Sequence, residues 1–425
     1  STDRQLQTIS KSTLGHYWGI LLKTLSALLV TPYFYPQNYG GAVVVYKTLI
    51  EHSIHTITVY TALSKKQILE CKEFDEHAGY SILRIPSMIF ALNEGESKVT
   101  GIFRLMWHIF GGFYALLRAA KRLKPDVIIC GSVAEVGWLV FFVSKILYGI
   151  KLVSFVHGEE VTMAVRDSHW DRFLTFGRKK VLEASHRIIS VSEFTCQALA
   201  QQGVDRSKIA VITNGVDLKR YYPVGKTENL VSRYGLNDCK VLLTLSRLVP
   251  KKGVDNVIRS LPILRNKVAN LKYLIGGKGP DLDRLKELSI TLGVDDIVVF
   301  AGFVSDEEVN FFMNLADVFI MPNRAIDGDT EGFGLVFLEA NACGIPVIGG
   351  QDGGTADAII DGVTGYRVDG TSIDAIADAI FKLMHDDALR ERLGIQASKW
   401  VVESQGWPEK VKQFDTLIAD VAFKA

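Results

Sequence analysis

The chain has 425 residues, 48% of them hydrophobic and 22% charged, with a formal net charge of +1. It is long enough for two domains with separate cores, has the composition of a soluble globular protein, and lacks the basic excess of a nucleic-acid binder. The charge is uneven, since residues 1–218 carry 24 Lys+Arg against 18 Asp+Glu and the remainder 24 against 29. The first half could therefore face an anionic partner such as a phospholipid surface, or simply carry scattered solvated lysines. Cys71, Cys130, Cys196, Cys239 and Cys343 are widely spaced with no Cys-x-x-Cys pair, which argues against a disulfide framework and against a zinc site.

Along the chain, an apolar run over 18–29, broken by Lys23, is too short for a signal peptide and could form an amphipathic helix on the protein or on a membrane. Short apolar runs then alternate with helical patterns, at 27–33, 55–61, 80–86, 126–131, 151–157, 187–192 and 209–214. This is the βαβ rhythm of a parallel sheet. The apolar stretch 136–156, interrupted by Lys145, Gly149 and Lys151, reads as a buried helix followed by a strand and not as a membrane span. After Tyr221-Tyr222-Pro223 the rhythm restarts, with strands predicted at 241–246, 271–277, 297–302, 317–322 and 346–350. The economical reading is α/β, with two Rossmann-like domains in tandem, 1–218 and 219–400, and a segment 401–425 that crosses back to brace the first. Ligands of such sheets bind beyond the carboxyl ends of the strands, so motifs there carry most weight.

The first strand ends in Pro36-Gln37-Asn38-Tyr39-Gly40-Gly41-Ala42. Paired glycines let backbone approach a ligand at a helix N-terminus, although a tight turn needs them too. The fifth ends in His157-Gly158-Glu159-Glu160, which places an imidazole toward the cleft. The second half opens with Ser246-Arg247-Leu248-Val249-Pro250-Lys251-Lys252-Gly253. Its Arg247 offers a fork and its Lys252 a point charge to phosphate oxygens, unless the stretch is a plain basic surface. Gly276-Gly277-Lys278 and Ala301-Gly302-Phe303-Val304 end two further strands, where backbone groups can read a nucleobase. No Rossmann dinucleotide or Walker motif appears, which disfavours an oxidoreductase or a P-loop nucleotidase.

The most informative stretch is Glu331-Gly332-Phe333-Gly334-Leu335-Val336-Phe337-Leu338-Glu339. Its glycine-rich turn opens a helix, a ready-made anion site. The flanking carboxylates then suit hydroxyls attached to that anion. If the segment is mostly helical the two are about 12 Å apart along the axis, too far for a glycosidase pair at roughly 5–9.5 Å. A solvated helix face would show the same spacing. Gly353-Gly354-Thr355 repeats the helix-opening device, and Asp327-Gly328-Asp329 reads as a mobile turn.

The ordered series Gly40-Gly41, His157-Gly158, Arg247 with Lys252, Glu331 to Glu339, and Gly353-Gly354 resembles the retaining nucleotide-sugar glycosyltransferases of family four, across nearly the whole chain. The stretches around Arg247 and Glu331 are most similar to those of bacterial phosphatidylinositol mannoside mannosyltransferases. The resemblance implies a GT-B fold, with the acceptor on the first domain and the donor on the second. It implies that Arg247 and Lys252 hold the diphosphate, Glu331 the transferred sugar, Glu339 the ribose, and His157 the sugar or reacting phosphate. Gly40 and Gly41 would close over the diphosphate, and Gly277, Gly302, Phe303, Val304, Phe333, Gly334 and Leu335 would complete the donor site. It also implies a metal-independent hexosyltransferase without a cofactor, cytoplasmic and at the inner membrane face, that takes GDP-mannose or a UDP-sugar and a lipid-linked or glycan acceptor. In that mechanism the leaving phosphate deprotonates the acceptor on the same face of the sugar. The family's Gly-Gly-x-Pro-Glu is here Gly353-Gly354-Thr355-Ala356-Asp357, a departure in donor recognition. A sugar-nucleotide epimerase, a catalytically silent GT-B partner protein and a soluble small-acceptor transferase remain alternative readings. A basic aromatic tract over 103–124, with Trp107, Phe110, Phe113, Tyr114, Arg118, Lys121, Arg122 and Lys124, suits either a membrane surface or a core-facing helix.

Overall fold

The structure is a computed structural model and describes residues 24–37, 40–64, 67–86, 98–162 and 169–423. Residues 18–23 of the segment 18–29 lie outside these residues, and its described end, 24–29, enters the first strand. Seven strands, β1 (Ser26–Val30), β2 (Thr56–Ala62), β3 (Ile82–Ile85), β4 (Val127–Cys130), β5 (Lys151–Val156), β6 (Arg187–Ser190) and β7 (Ile209–Val211), form one sheet in the order β3-β2-β1-β4-β5-β6-β7. Six more, β8 (Lys240–Leu245), β9 (Leu271–Gly276), β10 (Val298–Gly302), β11 (Val318–Met321), β12 (Val347–Gly350) and β13 (Gly365–Val368), form a second in the order β10-β9-β8-β11-β12-β13. Every pairing is parallel. Both sheets reverse direction between their first strand and its later neighbour, β1/β4 and β8/β11, the place where such folds bind ligands.

Both faces of each sheet are covered, which is why the strands read as continuous apolar runs. Leu28, Val30, Ile128 and Cys130 belong to one core of the first sheet, and their neighbours Ala27, Leu29, Val127 and Ile129 to the other. Strand β13 was not predicted: it is four residues long with an Arg in its middle, too brief for an alternation to register. The stretch 136–156 is the helix Gly137–Ile146 followed by β5. Among the described residues no helix is long and apolar enough to cross a membrane.

The last helix, Trp407–Phe423, packs on the first sheet, burying Trp407, Val411, Phe414 and Ile418 in the core that holds Leu29 and Phe155. Each such side chain contributes roughly 1.5–3 kcal/mol. Asp415 ties it further by accepting from the Ile54 N–H at 3.1 Å, while its carbonyl meets His55 Nε2 at 3.1 Å. The two chain crossings between the sheets run side by side, because Val216 and Gly406 form a parallel bridge and the Val216 N–H donates to the Gln405 carbonyl at 2.9 Å.

Candidate active site

One cavity of about 900 Å³ lies between the carboxyl ends of the two sheets. The sequence motifs converge on it: Gly40, Gly41, His157, Arg247, Lys252, Glu331, Phe333, Gly334, Leu335 and Glu339 all line it. Gly277, Gly302, Phe303 and Val304 do not. They stand at the ends of β9 and β10 on the flank of the second sheet, where Phe303 is 68% exposed beneath the Lys278 ammonium.

On the second-domain wall, the turn Pro250–Lys252 follows β8 and presents Lys251 and Lys252, with Arg247 exposed beside them. Lys252 is ion-paired with Glu331. Lys251 pairs with Asp329 at 2.7 Å. The Asp327-Gly328-Asp329 segment is a turn, as expected: Ile326 and Asp329 exchange backbone hydrogen bonds at 3.0 and 2.8 Å across two residues of positive φ, the pattern of a type I′ turn. Among the described residues no group of His, Cys, Asp or Glu is placed to hold a metal ion.

The helix Leu335–Ala342 opens on the cavity behind Gly334, whose φ of 91° and whose closeness to the Phe337 ring leave no room for a side chain. Glu331 precedes this helix and is not on it, so its spacing from Glu339 is no helical rise; the two carboxylates reach one cavity from a loop and from the helix. Glu339 stands beside Arg220 and Tyr221 of the crossing between β7 and β8, and burial pushes its carboxyl up to about 7 against the opposing pull of Arg220 and a hydrogen bond with Tyr221. Gly353-Gly354 opens a short 3₁₀ helix, Gly353–Asp357, not an α-helix; it lies against the loop, and the Gly354 N–H donates to the Glu331 carbonyl at 2.8 Å.

On the first-domain wall, His157 stacks on Phe155 with centroids 5.8 Å apart and meets Tyr46 Oη through Nε2 at 2.6 Å. The Tyr46 hydroxyl gives its proton to the Gly131 carbonyl, so Nε2 must be the donor to it and Nδ1 carries the lone pair. Burial lowers the His157 pKa to about 4, so the ring is neutral at physiological pH. Glu160 Oε2 accepts the backbone N–H groups of His157 and Gly158, each at 3.0 Å, and so shapes this turn. The helix Gly41–His52 opens on the cavity at Gly40, and a Cβ on Gly41 would stand 3.6 Å from Leu335 of the other domain.

The domains touch at the site. A Cβ on Gly332 would fall 1.8 Å from the His157 carbonyl oxygen. Asp357 Oδ2 accepts the Glu193 N–H at 2.9 Å, capping the first-domain helix Glu193–Gln201 from the second domain. The acid that departs from the family pattern is thus an interdomain cap. Sequence reading missed Tyr46, Glu135, Tyr221 and Lys251. Glu135, four residues past a predicted strand end, could have been found by the strand-end rule; Tyr46 sits mid-helix and carries no local signal.

Two Rossmann-like domains facing across a cleft, with cations and carboxylates on the second wall, are the architecture of an enzyme that acts on a nucleoside diphosphate. The family profile of group 1 glycosyl transferases matches residues 227–400. That of Glycosyltransferase Family 4 matches residues 39–220. The chain is 35% identical over 391 residues to the GDP-mannose-dependent alpha-(1-6)-phosphatidylinositol monomannoside mannosyltransferase of Mycolicibacterium smegmatis, covering 89% of this chain and 94% of that one. It is 28% identical to the N-acetyl-alpha-D-glucosaminyl L-malate synthase of Bacillus anthracis, over 91% of this chain and 95% of that one. Among solved structures, Anabaena HepE with UDP and glucose is similar at a TM-score of 0.76 and 18% identity, covering 93% of this chain and all of that one. The sucrose-phosphate synthase of Thermosynechococcus elongatus is similar at 0.73 and 20%, covering 92% and 98%. The chain belongs to glycosyltransferase family four, has the GT-B fold, and is a glycosyltransferase with a nucleotide-sugar donor. These relatives give no support to the epimerase reading.

Proposed function

We propose that the protein transfers mannose from GDP-mannose, with retention and without a metal ion, to a hydroxyl of a mannosylated phosphatidylinositol or a related lipid-linked glycan. The observation that carries this reading is the similarity over nearly the whole of both chains to the mycobacterial mannosyltransferase named above. In this reading the diphosphate lies between the N-termini of helices Gly41–His52 and Leu335–Ala342, where unpaired N–H groups and the helix dipoles favour an anion. Arg247 and Lys252 take the charge that develops on the leaving phosphate. Fixed cations aimed at developing charge account for much of the rate enhancement of many enzymes and do here what a metal ion does elsewhere. Glu331 accepts from the hydroxyls of the sugar, Glu339 from those of the ribose, and His157 Nδ1 from one further hydroxyl. The departing phosphate oxygen removes the acceptor proton on the face it leaves.

The acceptor is brought by a membrane. No acidic residue occurs between Lys98 and Lys124. On the helix Lys98–Leu123, Phe110 and Tyr114 are 63% and 65% exposed and stand in one stripe with exposed Arg118, Lys121 and Arg122. Phe113 turns instead to the core, while the Phe103 and Trp107 side chains lie outside the described residues. Phe142, Ile146 and Tyr148 on the adjoining helix and loop are exposed as well, near Lys145. Aromatic and basic side chains interleaved on one face suit an anionic bilayer. The test is incubation with a panel of radiolabelled nucleotide sugars and a mycobacterial lipid extract. Label is expected in lipid from GDP-mannose; altered free donor with no labelled lipid would overturn the reading.

A further inference from the structure

Lys252 stands on the turn after β8 and Glu331 on the loop after β11, so two residues 79 apart in the chain leave neighbouring strands of one sheet. Both side chains are long, and their mutual placement depends on how firmly the two loops hold each other. The loops meet backbone to backbone: Gly253 has a φ of 74°, and a Cβ there would collide with the Pro322 carbonyl oxygen. The Arg324 N–H donates to the Lys251 carbonyl at 2.9 Å. The Arg324 guanidinium makes a two-pronged contact with Asp255, Nη1 to Oδ1 and Nη2 to Oδ2, each at 2.9 Å. Arg324 thus grips the Lys252 turn on both sides, through the residue before Lys252 and through Asp255, the second residue of the helix Val254–Leu264. The start of the Glu331 loop is anchored in turn by buried Asn323, which accepts the Gly350 N–H at 3.1 Å and donates to the Asp352 carbonyl at 2.9 Å.

An acid in the first turn of a helix is favoured by the helix dipole, and an exposed one would serve that purpose. Asp255 and Arg324 are instead 9% and 13% exposed at their side chains, and neither lines the cavity. Burying an ion pair carries a desolvation penalty, and well-packed apolar side chains of similar volume often leave a protein as stable or more so. What a planar fork adds is a fixed mutual geometry of the segments that carry it. We infer that Asp255 and Arg324 are positioning residues of the transfer reaction: their pairing sets the Lys252 ammonium and the Glu331 carboxylate at the separation that the leaving diphosphate and the sugar require. The inference deepens the transferase reading and rests on it for the roles of Lys252 and Glu331.

The test uses the full chain and the variants Lys252→Ala, Asp255→Asn, Asp255→Leu/Arg324→Met, and the last combined with Lys252→Ala. Leu and Met fill the space of the pair without its geometry, so this double variant separates position from stability. Steady-state kinetics with GDP-mannose and phosphatidylinositol monomannoside in mixed micelles reads kcat and the donor KM, and scanning calorimetry reads the melting temperature. Asp255→Leu/Arg324→Met is expected to melt close to wild type and to lose kcat about tenfold to 10²-fold, as for a group misplaced by about an ångström, with the donor KM moved less than about threefold. Adding Lys252→Ala should then reduce kcat by a smaller factor than it does in the wild type, because the group that the pair positions is already displaced. Asp255→Asn, which keeps the shape and removes the charge, should fall between, and it decides by the same readings if the double variant does not fold. A double variant with wild-type melting and wild-type kcat, beside a Lys252→Ala variant that has lost activity, overturns the inference and leaves the transferase reading standing. An effect of Lys252→Ala that is equal in both backgrounds does the same. Wild-type turnover by Lys252→Ala itself would overturn the role given to Lys252 in the transferase reading, and the inference with it.

Discussion

Lys252 and Glu331 form an ion pair in the cleft, with their side chains 17% and 15% exposed. In the proposed reading Lys252 meets the diphosphate and Glu331 the sugar, so donor binding would exchange this contact for two others. Removing Lys252 leaves a carboxylate unpaired in a confined site and strips the developing phosphate charge of a donor. Lys252→Ala and Glu331→Ala should each lower kcat/KM about 10²–10³-fold, the cost of one preorganised electrostatic contact. The double variant should be little worse than either, since coupled groups are not additive. Circular dichroism should report an intact fold in all three; turnover close to wild type in either single variant would contradict the assignment.

Nitrogen-detected NMR of the imidazole should show His157 as the Nε2–H tautomer at pH 7, neutral until the pH falls to about 4. Between about 6.5 and about 4 the unfolded chain takes up a proton that the folded chain refuses, so stability falls as pH falls through that window. Tyr46→Phe leaves the Nε2–H and the Gly131 carbonyl without this partner and should cost about 1–3 kcal/mol. A tautomer carrying its proton on Nδ1 would contradict this.

Burial holds the folded Glu339 carboxyl at about 7 against 4.5 in its ordinary state. Below about 4.5 both states are protonated; as pH rises from there through about 7 the unfolded chain loses its proton first, and this group's contribution to stability declines. Ribose hydroxyls donate best to the ionised form, so GDP binding near pH 6.5 should release a proton and tighten as pH rises to 8. Calorimetry in buffers of different ionisation enthalpy reads this directly. Glu339→Gln should abolish the release, and Tyr221→Phe, which removes a hydrogen bond that lowers the pKa, should shift it to higher pH.

Two approaches described above join the domains at the site, Gly332 against His157 and Asp357 against Glu193. Gly332→Ala would drive a Cβ into the His157 carbonyl, and Asp357→Ala would leave the Glu193 N–H uncapped. Loss of a cap costs about 0.5–2 kcal/mol. Small-angle scattering should show a larger radius of gyration for Gly332→Ala, with transfer reduced at least tenfold, and a smaller change for Asp357→Ala. Identical scattering for wild type and Gly332→Ala would show that the two loops need not approach.

The strand ends were legible in the sequence because each is a change of period followed by glycine or charge, and that places His157, Arg247 and Lys252 without reference to tertiary structure. Other features depend on what packs against them. Tyr46 reaches His157 only because the fold packs its ring against Phe155 of β5 and its hydroxyl on the Gly131 carbonyl just past β4. Glu331 leaves the helix that its spacing suggested because that helix starts only at Leu335, behind Gly334 and four residues before Glu339. Gly277 and Gly302 share the glycine signature of the site yet lie on its flank, since the same residue type also serves the tight exit of a strand at positive φ. Asp357 read as a weakened donor ligand, and its interdomain role needs both domains in view.

The most direct test of retaining transfer without a metal is the anomeric configuration of the lipid product formed from GDP-α-mannose in excess EDTA, read by NMR from the one-bond C1–H1 coupling. An α-linked mannose, formed at an undiminished rate, is the predicted result. A β-linked product, or activity lost in EDTA and restored by a divalent cation, would contradict it.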